Sequence, residues 1–168
     1  ALRMRRKGIQ VFIIAPLKGH EFYRAARNVG GEFIQISPAS KNCINIMEIR
    51  KVDNSVNELL DGPTLDASAL AGKIQRLHIF FSLLIPDMSH EEKQLLDEAL
   101  IKTYARKGIT HKNESLTDPQ HPEQYKKMPI LEDVYNVLLE SEDTKRLAHI
   151  LNRLVHGSAS SFNQQTNV

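Results

Sequence analysis

The chain has 168 residues, with 41% hydrophobic and 25% charged side chains and a formal net charge of +2 at pH 7. This is the composition of an ordinary soluble globular protein, and the length allows one sizeable core or one core with a satellite subdomain. The single cysteine excludes a disulfide framework and a cysteine metal site, and it fits a reducing, cytosolic compartment. No apolar run reaches the ~18–20 residues that a membrane span requires.

The first eight residues resemble the end of a helix that Gly8 terminates. Four cations precede this glycine, namely Arg3, Arg5, Arg6 and Lys7. Cations in the last turn of a helix complement its dipole. The same cations could instead bind the phosphates of a nucleic acid, and that hypothesis predicts an affinity that falls steeply with salt.

A continuous run of β-branched and aromatic residues from Ile9 to Ala15, closed by Pro16, predicts a central strand of a parallel sheet. Ligands of open α/β sheets bind just beyond the carboxyl ends of the strands, so the loop leading to Glu21 is the first place to look for chemistry. From the residues alone, Lys18-Gly19-His20 fits a plain turn before a helix equally well.

The next elements complete a small α/β unit. A helix is predicted over His20 to Val29 with Gly30-Gly31 as its stop, and the alternating segment Glu32 to Ile36 predicts a second strand. A strand, a crossover helix and a parallel strand form the smallest α/β unit. Residues 44–49 add a weaker strand-like alternation, and the first domain is predicted over residues 1–50.

Beyond this unit the pattern is helical. Residues 51–66 are polar and contain Gly and Pro, which predicts a connecting loop. Residues 67–157 predict a small bundle of four amphipathic helices, and residues 158–168 predict a return segment. The first helix is expected over Ala67 to Ile85, and the second from a Ser89–Glu92 capping box to about Lys107. An exposed loop over 110–128 precedes the third helix, which is expected to begin at Pro129. The fourth helix is expected to run from a cap at Ser141 or Asp143 to Gly157.

The sequence predicts no metal site and no complete nucleotide site. None of the seven histidines stands at the short helical spacing of a zinc motif. No Gly-rich phosphate loop of the Walker type occurs, and no apolar strand ending in adjacent acidic residues follows the bundle. These residues alone therefore lack the parts that hold a triphosphate and its magnesium.

Several stretches together resemble a known family. Ile13 to Phe22, Gly30 to Pro38 and Cys43 to Met47 resemble the large conjugal-transfer ATPase of type IV secretion systems, in the form found on integrative elements of Gram-positive bacteria. The resemblance spans nearly the whole chain, in the order which that family uses. It continues through Glu91 to Asp97, Thr103-Tyr104, Pro129 to Asp133, Gly157-Ser158, Phe162-Asn163 and Thr166 to Val168.

This resemblance implies an α/β fold class: a small parallel-sheet portion of a RecA-like motor domain, related to the HerA and FtsK DNA pumps, with an inserted helical bundle. Such ATPases carry the helical subdomain between the phosphate-binding loop and the acidic Walker B strand. The chain would then be a middle fragment that lacks both. The intact parent is expected to bind ATP and Mg²⁺, whereas the fragment alone is expected to hold no cofactor and to be inactive.

The resemblance also implies roles for a few residues. Motors of this type commonly place a carboxylate at the tip of the strand beside the phosphate loop, where it orients the attacking water. The tip here reads Ala15-Pro16, where the wider family usually starts with Asp-Pro, and the nearest acid is Glu21. Glu21 is thus the implied catalytic residue, with Lys18, Gly19 and His20 facing the phosphates. Equally, Glu21 fits a first-turn acid that stabilises the following helix.

The implied setting is a motor at a membrane. The resemblance implies self-association into an oligomer, contacts with type IV secretion channel proteins, DNA or a relaxase as substrate, and a cytoplasmic location peripheral at the inner face of the cell membrane. The alternative function class is a helical protein–protein interaction module that docks the secretion motor on channel or substrate proteins. Substituting Glu21 in the intact parent would abolish turnover under the enzyme hypothesis, whereas altering exposed bundle residues would uncouple partners and spare ATPase activity.

Overall fold

The structure is a computed structural model that describes residues 2–16, 19–37, 41–50 and 68–168. The chain divides into two compact units, Ala1–Ile36 and Ser37–Val168, named here the first unit and the helical unit. The predicted connecting loop over residues 51–66 lies outside the described residues, as does Lys18.

The first unit contains two helices, α1 (Leu2–Arg5) and α2 (Gly19–Asn28). Gly8 has a φ of +78°, and the N–H of the next residue donates to the Met4 carbonyl at 3.2 Å, which ends α1 as predicted. Gly30 has a φ of +67° and ends α2 in the same way. The helix predicted over His20 to Val29 is therefore confirmed, displaced by one residue at each end.

The predicted parallel sheet is not seen in the described part of the chain. Neither Ile9 to Ala15 nor Glu32 to Ile36 is assigned to a strand, and residues 44–49 are not assigned to one either. The one β-bridge between described residues is isolated and lies elsewhere, between Thr117 and Tyr125. A strand needs a neighbour that accepts and donates its backbone hydrogen bonds, and the apolar pattern in the sequence predicts burial without supplying that neighbour.

The first unit has no core of its own. None of its described side chains is buried, although the segment 9–14 is almost wholly apolar. The Phe12 side chain is 87% exposed and that of Ile14 is 77% exposed. A unit of this size buries too small a share of its surface to be stable alone, so these apolar segments require cover from other polypeptide.

In its described residues, the helical unit has the four helices that the sequence predicts. They are α3 (Ala69–Leu84), α4 (His90–Arg106), α5 (Leu131–Leu138) and α6 (Lys145–Val155). Three short 3₁₀ turns accompany them, at Asn113–Leu116, Glu142–Thr144 and Ser160–Phe162. Helix α3 packs on α4, α4 on α5, and α5 on α6.

Local side-chain chemistry starts these helices. The capping box predicted for α4 is present: the Ser89 hydroxyl accepts from the Glu92 N–H at 3.1 Å, and the Glu92 carboxylate accepts from the Ser89 N–H at 2.9 Å. At α5 the Asp133 carboxylate accepts from the Ile130 N–H at 2.8 Å. The Ser141 hydroxyl accepts from the Asp143 N–H in the 3₁₀ turn that leads into α6.

The core of the helical unit is apolar and continuous across all four helices. The spacing of α3 predicts an apolar stripe on one helix face, at Leu70, Ile74, Leu77, Phe81 and Leu84. The first four are buried, and Leu84 is half-buried. The other helices bury Leu96, Ala99, Leu100, Thr103 and Tyr104 (α4), Leu131, Val134, Val137 and Leu138 (α5), and Leu147, Ala148, Leu151 and Val155 (α6).

Residues 41–50, named here the edge segment, also belong to this core. From the sequence these residues are predicted to belong with residues 1–40, whereas the structure places them in the unit that begins at Ser37. Every second side chain is buried, at Cys43, Asn45, Met47 and Ile49. Burial alternates strictly, but not with the apolar pattern of the sequence, because Ile44 and Ile46 are half-buried while Asn45 between them is buried. Within the described residues, no helix is both long and apolar enough to cross a bilayer.

Candidate functional site

The predicted site falls on the first turn of α2. Gly19 begins this helix, and His20 and Glu21 follow it in the same turn. Both His20 and Glu21 are exposed. A ten-residue helix carries unpaired backbone N–H groups and a partial positive charge at this end, which suit an anionic oxygen. The structure thus brings three of the four predicted site residues together, while Lys18 lies outside the described residues.

Aromatic side chains fix the position of this turn within the first unit. The rings of Tyr23 and Phe33 meet edge to face with centroids 5.2 Å apart. The Arg27 guanidinium donates to the Tyr23 hydroxyl at 3.0 Å and lies 5.8 Å from its ring centroid. Phe33 also reaches Gly19, where an added Cβ would lie 3.5 Å from the ring. That distance is an ordinary contact, so space alone does not require glycine there.

The first turn of α2 offers unpaired backbone N–H groups to an anionic group such as a phosphate. In the described residues neither His20 nor Glu21 has a hydrogen-bond or ion-pair partner that would fix its side chain. Over the same ranges, no three His, Cys, Asp or Glu side chains cluster as metal ligands do. The position of these residues in the first turn of α2 is compatible with a role facing phosphates. The Walker-type loop that would bind a triphosphate does not occur in this sequence. The roles of Lys18, Gly19, His20 and Glu21 stay predictions.

The structure also shows a polar site that the sequence analysis did not identify. Residues 163–167, named here the strap, lie along the edge segment. The Asn167 carboxamide accepts from the Cys43 N–H at 2.7 Å, and the Thr166 hydroxyl accepts from the Asn45 N–H at 3.0 Å. The signal in the sequence was the run of amide and hydroxyl side chains at Asn163-Gln164-Gln165-Thr166-Asn167, an unusual density of side chains that can bond to backbone.

Two neighbouring cavities border the strap in the helical unit. Their volumes are about 340 Å³ and 380 Å³, and both are lined by Lys127, Met128 and Gln165. Glu48 and Arg50 line the first, and they form an ion pair at 3.1 Å. The second is lined by Lys107, Ile130, Asp133, Asn163 and Gln164, of which Lys107 and Asp133 form an ion pair at 3.1 Å. The ion pairs neutralise most of the charge around these cavities.

Burial perturbs two titratable groups of the helical unit. Burial raises the pKa of Tyr104, whose hydroxyl donates to the Met47 carbonyl at 2.5 Å. Burial, with Arg76 nearby, lowers the pKa of Lys73. Neither group lies in the first unit, so these shifts do not mark the first turn of α2 as catalytic.

Comparison with solved structures shows a protein that this chain resembles over nearly its whole length. No protein-family model matches the chain, and no curated protein sequence matches it. The solved structure of VirB4 from Thermoanaerobacter pseudethanolicus is similar to 99% of this chain, with a TM-score of 0.73 and 25% sequence identity. The match covers 42% of the VirB4 chain, so this chain spans less than half the length of that protein. The likeness supports a relationship to a motor-domain region of type IV secretion ATPases.

Proposed function

We propose that this chain is an internal region of an ATPase that energises type IV secretion and conjugative DNA transfer, of the type carried by integrative elements of Gram-positive bacteria. The similarity to VirB4 over 99% of the chain, at a TM-score of 0.73, carries the proposal. It agrees with the family resemblance of the sequence, which follows the same order from residue 13 to residue 168. The match covers 42% of the VirB4 chain, so the activity belongs to a longer protein.

The surface of the first unit supports this proposal. Its apolar segments are exposed, with Phe12 at 87% and Ile14 at 77%, and exposure of such segments is unfavourable by ~25 cal/mol per Å² of apolar surface. In the proposed ATPase these segments are the sheet portion of a RecA-like motor domain, and other strands and helices of that domain cover them.

The proposed roles follow the first turn of α2. Glu21 orients the attacking water, and Lys18, Gly19 and His20 face the phosphates of ATP. The phosphate-binding loop and the Mg²⁺ ligands come from parts of the intact protein that this sequence does not contain. The chain alone is therefore expected neither to bind ATP well nor to hydrolyse it.

The decisive experiment compares two carboxylates in the intact ATPase. Glu21 and Glu91 are both exposed acids in the first turn of a helix, α2 and α4 respectively. Glu21→Gln is expected to lower phosphate release by about 10²- to 10⁴-fold, the range for loss of a general base. Glu91→Gln is the matched control and is expected to leave turnover unchanged.

The outcome separates catalysis from helix stabilisation. If Glu21 only complements the helix dipole, both substitutions have the same small effect on stability and neither alters turnover. Equal turnover in the two variants would therefore refute the catalytic role of Glu21. Phosphate release by the present chain alone would refute the proposal that the nucleotide-gripping residues lie elsewhere.

The proposed setting is an oligomeric motor at the inner face of the cell membrane. Its proposed partners are other copies of itself, channel proteins of the secretion system, and DNA or a relaxase as the transported substrate. The VirB4 likeness supports the secretion context, and the individual partners are proposals that rest on it.

A second candidate function is docking by the helical unit, and the outer face of α3 favours it. Ile79 and Leu83 stand four residues apart on this helix and are 64% and 78% exposed, while the opposite face fills the core. In this function the helical unit attaches the motor to channel or substrate proteins. Ile79→Glu and Leu83→Glu are expected to weaken co-purification with the channel proteins and to leave ATPase turnover unchanged.

A further inference from the structure

The strap is held to the edge segment mainly by side chains. One backbone bond joins them, from the Asn167 N–H to the Cys43 carbonyl at 3.2 Å. The remaining bonds use the amide and hydroxyl groups of the strap or of Asn45. The Asn167 amide donates to the Lys41 carbonyl at 2.9 Å, and the Thr166 hydroxyl donates to the Glu48 carboxylate at 2.7 Å. The strap and the edge segment are thus joined by individual side-chain hydrogen bonds, and not by the regular backbone hydrogen bonds of a β-ladder.

The two ends of the strap differ in how firmly they are fixed. At its beginning, Asn163 accepts from the Glu132 N–H at 2.7 Å, at the start of α5, and its amide donates to the Val155 carbonyl at 3.4 Å, at the end of α6. Phe162, just before it, packs against the apolar core. At its far end Asn167 is exposed, as is Val168. The strap is therefore anchored at Asn163 and held by hydrogen bonds alone toward Asn167.

Part of the edge segment beneath the strap has contacts that do not involve the strap. Met47 is fully buried, and its carbonyl accepts from the Tyr104 hydroxyl. Asn45 also donates to the Pro129 carbonyl at 2.9 Å and accepts from the Met47 N–H at 2.9 Å. These contacts hold the edge segment on the helices. Opening the strap at residues 164–167 replaces eight hydrogen bonds by bonds with water, among them the bond from the Gln165 amide to the Met128 carbonyl at 2.8 Å. Each of these exchanges has a net cost of about 0.5–1.5 kcal/mol.

We propose that the strap is a two-state element, which opens at residues 164–167 while the four helices and the edge segment stay folded. The closed state fastens the chain that leaves the helical unit to the edge segment, and the open state releases it. If the chain belongs to the proposed ATPase, the strap controls whether these two segments move together. Opening also uncovers Cys43, which is 6% exposed in the closed state and lies 3.7 Å from the Gln164 carboxamide oxygen.

The single cysteine provides a direct test, because thiol labelling of this chain reports on Cys43 alone. The rate of reaction with dithionitrobenzoate is measured in native buffer for the unaltered chain and for two strap variants. Asn167→Ala removes two side-chain bonds and is expected to raise the labelling rate at least about fivefold. Thr166→Val keeps the shape of the side chain but removes its hydroxyl, and it is expected to raise the rate at least about twofold.

Two controls make the test specific. Asn152→Ala removes an exposed carboxamide from α6 and is expected to leave the labelling rate unchanged. Urea unfolding, followed by helical circular dichroism, measures global stability for each variant. Local opening predicts that labelling of the unaltered chain proceeds faster than global unfolding allows.

Two results would overturn the proposal. In one, the unaltered chain is labelled only at the rate of global unfolding, so the strap opens only when the helices unfold. In the other, Asn167→Ala and Asn152→Ala label at equal rates, so the strap bonds do not control access to Cys43. ATP plays no part in this experiment, so its result is independent of the ATPase proposal.

Discussion

The Tyr104 hydroxyl is expected to contribute measurably to the stability of the helical unit. Tyr104 and Met47 are both fully buried, and their hydroxyl–carbonyl hydrogen bond of 2.5 Å joins α4 to the edge segment. Tyr104→Phe keeps the ring and leaves the Met47 carbonyl without this donor. Loss of one partner of a buried hydrogen bond costs about 1–3 kcal/mol, a large part of the ~5–15 kcal/mol that stabilises a typical domain.

The same substitution predicts a pH dependence with a definite sign. Burial raises the pKa of Tyr104 above its ordinary value of 10.0, so the unfolded chain releases this proton at a lower pH than the folded chain. The stability due to Tyr104 is fully present below pH 10 and is lost as the pH rises above it. At pH 10.5 the linkage relation gives a loss of about 1 kcal/mol. Phenylalanine lacks this proton. The difference in free energy of unfolding between the unaltered chain and the Tyr104→Phe variant is therefore smaller at pH 10.5 than at pH 7 by that amount.

Urea unfolding at pH 7 and pH 10.5, followed by circular dichroism, measures both effects. Tyr135→Phe is the matched control, because Tyr135 lies on α5 half-buried and its ring contact with His156 does not use the hydroxyl. The control is expected to change stability by less than about 0.5 kcal/mol. A Tyr104→Phe variant as stable as the control at pH 7 would show that the bond to Met47 contributes nothing.

Three further substitutions test the packing and the start of the helices. Leu100→Ala, at a fully buried position, is expected to lose about 2–5 kcal/mol in urea unfolding, and a smaller loss would mean that the core is loosely packed. Ser89→Ala removes the hydroxyl of the capping box and is expected to lower the free energy of unfolding by about 1 kcal/mol. An unchanged stability would contradict the start of α4 at His90. The pKa of Glu92 is lowered chiefly by the Ser89 N–H and then by Arg146, so its stabilising effect is present above pH 4.5 and lost as the pH falls. Glu92→Gln is therefore expected to be more destabilising at pH 7 than at pH 3, and an equal effect at both pH values would contradict the assignment.

The helical unit was largely predictable because its signals are local. The capping box at Ser89, the stripe of α3 and the terminating glycines act within a few residues, so periodicity and cap chemistry define the helices. The parallel sheet was not predictable in the same way. The apolar run from Ile9 to Ala15 requires a covering partner, and a run of residues does not state which segment provides it.

The candidate site, too, was predictable where its signals are local and not where its partners are distant in the sequence. That His20 and Glu21 lie in the first turn of α2 follows from the sequence, since an acid near a helix start and a terminating glycine are local features, although the helix begins one residue earlier than predicted, at Gly19. That Asn45 pairs with Gln165 and Thr166 does not, because the partners are about 120 residues apart and no helical or strand period connects them.

The sequence by itself determined where the helices begin and end, which helix faces are apolar, and which family the chain resembles. Only the tertiary structure decided that residues 41–50 belong with the helices and that residues 163–167 bond to them. The physical reason is the separation along the sequence between the groups that interact. Helix starts and stripes are set by bonds within one or two turns, whereas the buried polar groups of the edge segment are satisfied by whichever distant side chains the fold brings to them.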